Sequence, residues 1–239
     1  CILDPLTQPL PFTPFKDFTG RSINEINLYS TEMSSALCSI DRVSASANMN
    51  NRLSEAIVEA YKSTNGAPIS FELMLKCYQS RMKDANNDDS ISSVLKQLVN
   101  AHIFESEDKV SLIDDSYIIK MDGYPKDGPI AKAIVYFLMS KLNNIYELLD
   151  KQAVNDEVVQ IRHFSIIDEA HYMLDFDNRP LRNLIAVGRN KGLSIILATQ
   201  NMSSFKSKGF DFYANAQYPL IMKQQTIDDK VIKDLFGVS

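Results

Sequence analysis

The sequence predicts an α/β fold: a parallel sheet covered by helices, with a mostly helical block set into it. Three observations predict it. Phe164 to Ile167 and Leu193 to Ala198 are short, almost wholly apolar runs. A helix rich in Leu and Ile (Leu181, Leu184, Ile185) lies between them and ends near Gly192. Residues 30–105 carry helical rather than strand periodicity throughout. Strands apolar on both faces and separated by helices are the pattern of a parallel sheet packed between helical layers.

The elements follow in order. Ile2 and Leu3 read as a strand end, and a proline-punctuated loop runs from Pro5 to Pro14. Ser22 and Glu25 have the spacing of a capping box. Leu53, Ala56, Ile57, Ala60 and Tyr61 then fall on one helical face. Ser70 is placed to cap a helix bearing Phe71, Met74, Leu75 and Tyr78, and Ser90 to cap one bearing Ile91, Val94, Leu95 and Leu98. Asp84 to Asp89 is a solvated turn.

The period then changes. Lys109 to Ile113 and Tyr117 to Asp122 read as short strands around an Asp114-Asp115 turn. A long helix follows Gly128, with Ile130, Ile134, Phe137, Leu138, Leu142, Ile145 and Leu149 on its apolar face. A polar linker, Asn155 to Gln160, precedes the first apolar run. After the second, Pro219 to Met222 reads as a third strand, and Thr226 with Asp229 opens a final helix reaching Phe236. The resulting division is 1–29 as the start of the core, 30–105 as the helical insertion and 106–239 as the rest of the core.

Composition narrows the function classes. A chain of 239 residues with 45% hydrophobic content is long enough for one large α/β domain or a core plus an insertion. The net charge of -5, with both signs scattered, excludes a wholly basic nucleic-acid-coating protein but not a local basic strip. Cys1, Cys38 and Cys77 are odd in number and lack C-x-x-C spacing. They make neither a metal site nor a disulfide framework, which suits a reducing cytoplasm. No signal peptide or membrane span is visible, because Lys132, Lys141 and Glu147 interrupt the most apolar helix. A chain that opens on Cys-Ile-Leu-Asp reads as a piece of a longer protein.

Chemistry concentrates at Phe164-Ser-Ile-Ile-Asp168-Glu169-Ala170-His171. Two carboxylates stand at the carboxyl end of an apolar strand, where ligands bind in open α/β sheets. Either they leave the strand into solvent and start a helix, or they serve a cation and a proton transfer that offset the cost of adjacent acids. The second block is Gly188-Arg-Asn-Lys-Gly-Leu-Ser-Ile-Ile-Leu-Ala-Thr-Gln200. If the two strands are neighbours, Gln200 comes close to Glu169, where a neutral amide orients water without neutralising a base; otherwise it only caps the strand. Arg189 and Lys191 sit where a helix dipole favours cations. Arg189 has the alternative of reaching charge that develops on a transferred phosphoryl group.

These two blocks together resemble the HerA/FtsK group of P-loop ATPases, which includes conjugative and type IV secretion ATPases. In that group an acid pair closing the Walker B strand, a Gly-Arg-x-x-Gly helix end and an Ala-Thr-Gln strand occur in this order. The match is specific over 164–201 and looser over Cys1 to Phe15 and Ile118 to Asp122. The resemblance implies a partial RecA-like (P-loop NTPase) parallel sheet with Walker B and sensor strands. It implies ATP and Mg²⁺ as cofactors, with Asp168 on the Mg²⁺ side and Glu169 as the catalytic base. Gln200 becomes the polar sensor, and Arg189 acts on a neighbouring subunit of a homo-oligomeric ring. Double-stranded DNA is the implied track. The helical insertion and Leu-Pro-Phe-Thr-Pro-Phe look like restriction-associated HerA-like proteins of the DptH type, which implies nuclease or restriction partners.

One departure is large. No G-x-x-x-x-G-K-[ST] occurs, and Thr19-Gly20-Arg21-Ser22 lacks the first glycine and the lysine. The phosphate cradle is then expected upstream of Cys1, or else the chain is a non-hydrolysing scaffold. Asp168 to His171 also spells the motif of DEAH-box helicases, but Leu197-Ala-Thr-Gln fits the HerA pattern better, so His171 reads as a helix-start residue. His102 and His163 lack ligand partners and read as structural. Lys206-Ser-Lys208-Gly209 reads as a solvated loop, with a DNA-facing turn as the alternative.

Overall fold

The computed structural model describes residues 1–40, 45–84, 87–155, 158–174, 176–200, 206–207 and 210–216, with the single residues 218, 220, 222 and 233. The chain forms two compact units, residues 1–149 with 176–181, and residues 150–175 with 182–239. Of the expected third strand, Pro219 and Ile221 lie outside the described residues and Leu220 and Met222 are not in a strand; Thr226 and Asp229, which open the expected last helix, also lie outside, as do Lys208 and Gly209.

The first unit is mostly helical. Its helices are α1 (Ile23–Ile40), α2 (Ala47–Ser63), α3 (Phe71–Ser80), α4 (Ser90–Ala101) and α5 (Pro129–Leu148). α1 to α4 pack in succession, and α5 packs on α1 and α4. Local chemistry sets their starts. Glu25 N–H donates to Ser22 Oγ at 3.4 Å while Glu25 Oε2 accepts the Ser22 N–H at 3.0 Å, closing the expected box. Ser70 Oγ accepts the Leu73 N–H at 3.2 Å.

α4 starts one residue earlier than its sequence suggests. Asp89, not Ser90, is the cap: Asp89 Oδ1 accepts from Ser92 N–H at 2.9 Å, and Ser92 Oγ accepts from Asp89 N–H at 2.9 Å. A carboxylate at this position satisfies an orphan donor and also meets the positive end of the helix dipole.

The proline-punctuated segment is a core element. Leu10, Phe12, Phe15 and Phe18 are all buried. Leu10 pairs with the segment after α4, its N–H donating to Ile103 O at 2.6 Å and its carbonyl accepting from Glu105 N–H at 3.0 Å. This pairing also corrects the strand expected over 109–113. Lys109 N–H donates to Pro11 O at 2.9 Å, and Asp108 Oδ1 accepts from Thr13 N–H at 3.0 Å. With its polar groups used this way, the segment turns instead of extending.

Phe12, Phe15, Phe71, Phe104 and Phe137 meet edge-on or tilted, with centroids 4.9–6.2 Å apart. Phe137 contacts three of the others and is fully buried on α5. Phe137→Ala is expected to cost about 3–5 kcal/mol of unfolding free energy, the usual range for emptying an aromatic site. Denaturant titration measures this; a loss under about 1 kcal/mol would show that the ring is not central to the core.

The first unit also holds a two-stranded parallel sheet, β1 (Ile2–Leu3) with β2 (Ile118–Ile119), in the register Ile2↔Ile118. Among the described residues no helix is long and apolar enough to cross a membrane.

The second unit carries the two apolar runs. β5 (His163–Ile167) and β6 (Leu193–Leu197) are parallel neighbours in the register His163↔Leu193 through Ile167↔Leu197. Before them, the expected polar linker contains a short antiparallel pair, β3 (Val154–Asn155) with β4 (Val158–Val159). α6 (Arg179–Val187) and a 3-10 turn (Gly188–Lys191) lead into β6. Gly192 joins turn to strand at φ +82°, and a Cβ there would lie 2.7 Å from Gln160 O. Its carbonyl accepts from Arg162 N–H at 2.7 Å and His163 N–H at 3.1 Å, so the close approach fixes the start of β5.

The burial of these strands differs from expectation. Phe164, Ile166 and Ile196 are 56%, 69% and 45% exposed, so one face of the β5–β6 pair is open. Among the described residues the parallel pairing comprises two two-stranded sheets, not one continuous RecA-like sheet. β7 (Lys206–Ser207) pairs antiparallel with β8 (Phe210–Asp211), and α7 (Phe212–Asn215) follows.

Candidate active site

The candidate site forms where β5 and β6 end. Past the sheet the two chains stay joined: Ala198 N–H donates to Ile167 O at 2.9 Å, and Ala170 N–H donates to Ala198 O at 2.8 Å. Residues 168–170 thus bend over the tip of β6, which sets Asp168, Glu169 and His171 beside Thr199 and Gln200.

Glu169 sits at φ 51°, ψ 40°, in the left-handed region. For a residue with a Cβ this costs about 1–2 kcal/mol. The surroundings hold it there. Asp168 Oδ1 accepts the Glu169 N–H at 2.9 Å, and Glu169 O accepts from Tyr172 N–H at 3.1 Å in the 3-10 turn Ala170–Met173. Such strain, where geometry over-determines it, is a mark of functional sites.

Gln200 Nε2 donates to Glu169 Oε1 at 2.9 Å. His171 Nδ1 lies 3.4 Å from Glu169 Oε2 and 3.1 Å from Thr199 Oγ1. Glu169 and His171 are partly buried, and Asp168 is exposed at the rim. The structure therefore brings Glu169 and Gln200 into direct contact, with Asp168 exposed beside them at the end of β5. It adds His171 and Thr199, which the sequence reading left out. Both stood inside the motifs already singled out, His171 closing Asp-Glu-Ala-His and Thr199 preceding Gln200 in Ala-Thr-Gln, but neither was given a role in the site.

Arg189 is exposed in the turn before β6, and its carbonyl accepts from Gly192 N–H at 3.0 Å. It precedes the strand whose far end carries Gln200. At about 3.3 Å per residue that strand spans about 13 Å, so Arg189 belongs to the opposite end of β6. His163 also stands apart from the crevice, at the start of β5; burial lowers its imidazole pKa, and Nε2 is 3.2 Å from Ser165 Oγ.

Mg²⁺ in nucleotide sites is held by one or two carboxylates together with phosphates and water, not by an all-protein cage. Asp168 suits that role: it is exposed, and its backbone contact uses Oδ1. Among the described residues no cluster of three or more His, Cys, Asp or Glu could cage a metal by itself. A cleft of about 480 Å³ lies elsewhere, lined by α1, α2 and Arg81, whose guanidinium pairs with Glu55 and Glu59. It contains none of the candidate residues.

No family model and no curated protein matches the chain. Solved structures do. The chain is similar in its whole length to 68% of the VirB4 chain of Thermoanaerobacter pseudethanolicus, with a TM-score of 0.64 and 16% identity. It also matches, over 85% of its length and 52% of the other chain, the bacterial conjugative coupling protein TrwB lacking its first 70 residues, with a TM-score of 0.47 and 14% identity. The likeness to VirB4 is one of fold, a mixed helix and strand chain with small parallel sheets.

Proposed function

We propose that this chain forms the Walker B side of an ATP-hydrolysing motor of the conjugation or secretion ATPase type. The observation that carries this reading is the 2.9 Å contact between Glu169 and Gln200. It sets an acid and a neutral amide from adjacent strand tips side by side at the carboxyl end of a parallel pair, where nucleotides bind in α/β folds.

In this reading each residue has one role. Glu169 is the general base: its carboxylate takes the proton of the water that attacks the terminal phosphorus of ATP, while the bond to the ADP oxygen breaks. Gln200 holds Glu169 Oε1 with an amide donor, which orients the base and leaves its negative charge intact. Asp168 stands at the rim to hold Mg²⁺ through water; the ion supplies charge neutralisation on the phosphates. Arg189, at the other end of β6, is positioned to serve a second subunit of a ring and not its own crevice.

The conjugation or secretion reading is preferred to DNA restriction because the fold likeness is to VirB4. A DptH-type restriction role has no support beyond the resemblance of the helical insertion and of the loop before α1. The scaffold reading rests on one observation, the lack of a G-x-x-x-x-G-K-[ST] in this sequence.

ATP turnover by a longer protein spanning this chain tests the proposal. The expected result is Mg²⁺-dependent phosphate release. Stimulation by duplex DNA would assign DNA as cargo, and turnover indifferent to DNA would assign a protein cargo. No nucleotide binding at all would support the scaffold and refute the motor.

A further inference from the structure

We propose that His171 is a positioning residue that fixes the carboxylate of Glu169 for its work as a base; this rests on the ATPase reading above. The inference comes from a three-way contact. His171 Nδ1 is 3.1 Å from Thr199 Oγ1 and 3.4 Å from Glu169 Oε2, while Gln200 Nε2 holds the other oxygen, Oε1, at 2.9 Å.

The chemistry gives each atom a direction. A carboxylate oxygen beside Nδ1 is the neighbour of an N–H, not of a lone pair, so the hydrogen belongs on Nδ1, where it is donated to Thr199 Oγ1 and lies 3.4 Å from Glu169 Oε2 as an electrostatic neighbour. Glu169 then has the Gln200 amide donor at Oε1 and the polar edge of the imidazole beside Oε2. A side chain with three rotatable bonds is reduced to one orientation of its carboxylate plane, and each oxygen keeps a second lone pair for water. The imidazole is itself braced: its ring lies against Tyr172 with centroids 4.1 Å apart, and the turn that carries it is rooted by the buried Ala170 and Met173.

A purely structural role does not account for this arrangement. The tips of β5 and β6 are already joined by two backbone hydrogen bonds, Ala198 to Ile167 and Ala170 to Ala198. The bond to Thr199 adds one side-chain contact to a union the backbone already makes. What the Thr199 contact adds is the aim of the ring. It ties the base on one strand tip to the residue preceding Gln200 on the next, so that base and amide move as one group.

Variants of the longer protein separate this role from folding. His171→Ala is expected to lower kcat about 10- to 100-fold, as loss of an orienting partner does, with KM for ATP and the thermal midpoint nearly unchanged. His171→Asn places an amide nitrogen near the position of Nδ1 and should recover most of kcat, whereas His171→Gln, which reaches only the Nε2 position, should not. Thr199→Val keeps the shape, removes the hydroxyl and should lower kcat in the same direction by a smaller factor. Equal losses in Ala and Asn variants, or a His171→Ala enzyme with wild-type kcat, would overturn the proposal. Glu169→Gln run alongside separates the two levels. If it stops turnover and His171→Ala does not slow it, only the positioning role fails. If it leaves turnover intact, Glu169 is not the base; if the wild-type protein has no turnover, the ATPase reading fails; the positioning role falls in either case.

Discussion

Replacing Glu169 with glutamine is expected to stop ATP turnover while leaving nucleotide binding in place. A general base contributes roughly 10²- to 10⁴-fold to a proton-coupled step, and glutamine removes the base without removing the shape. The amide oxygen of the variant can still accept from Gln200 Nε2, so the contact now at 2.9 Å survives and the tip of β5 keeps its bend. Asp168 is untouched, so Mg²⁺ and phosphate binding should persist. Phosphate release and titration with a fluorescent ATP analogue read the two quantities separately. A fall in rate of at least about 100-fold with unchanged affinity is the expected pair. Loss of affinity in step with rate would move Glu169 from the base to a binding role.

Arg189→Ala is expected to cost about 10³-fold in turnover, the lower end of what an arginine acting on transferred phosphoryl groups contributes. Its place explains the form of the test. Arg189 precedes β6 and Gln200 follows it, so one chain sets the two at opposite ends of the same strand. An arginine so placed acts on a neighbour's nucleotide or not at all. Mixing provides the discrimination. Subunits carrying Arg189→Ala retain a whole Glu169 crevice, and subunits carrying Glu169→Gln retain Arg189. A mixed ring of the two inactive proteins should regain turnover where the second type faces the first. Full activity of Arg189→Ala alone would leave that residue as a cation favoured by the helix end.

Much of this frame was legible from residue order. Two short apolar runs with a helix between them predict adjacent parallel strands, and β5 and β6 pair over their full length. Gly192 marked the end of the intervening helix because the positive φ there is one that only glycine adopts without strain. The acids at 168 and 169 and the amide at 200 stood out because each ends an apolar run.

What was not legible depends on contacts distant in sequence. Lys109 to Ile113 alternates like a strand, yet the Lys109 backbone pairs with Pro11 and the preceding Asp108 side chain with Thr13, nearly one hundred residues away. The loop phenylalanines Phe12 and Phe15 are core for the same reason: Phe71, Phe104 and Phe137 come to them from three separate helical regions. His171 was read as a helix-start residue because nothing local distinguishes it; its role depends on the register that brings Thr199 alongside. The open face of Phe164 and Ile166 shows a further limit. An apolar face states that cover is favourable, but local sequence does not say what provides it.

The measurement that tests the central claim most directly is the structure of a longer protein spanning this chain with Mg²⁺ and a non-hydrolysable ATP analogue. The account predicts the terminal phosphate facing Glu169 and Gln200, with Asp168 in the water shell of the ion and the arginine of another subunit at the phosphate. A nucleotide bound away from the tips of β5 and β6, with Glu169 still paired to Gln200 and facing no phosphate, would contradict it.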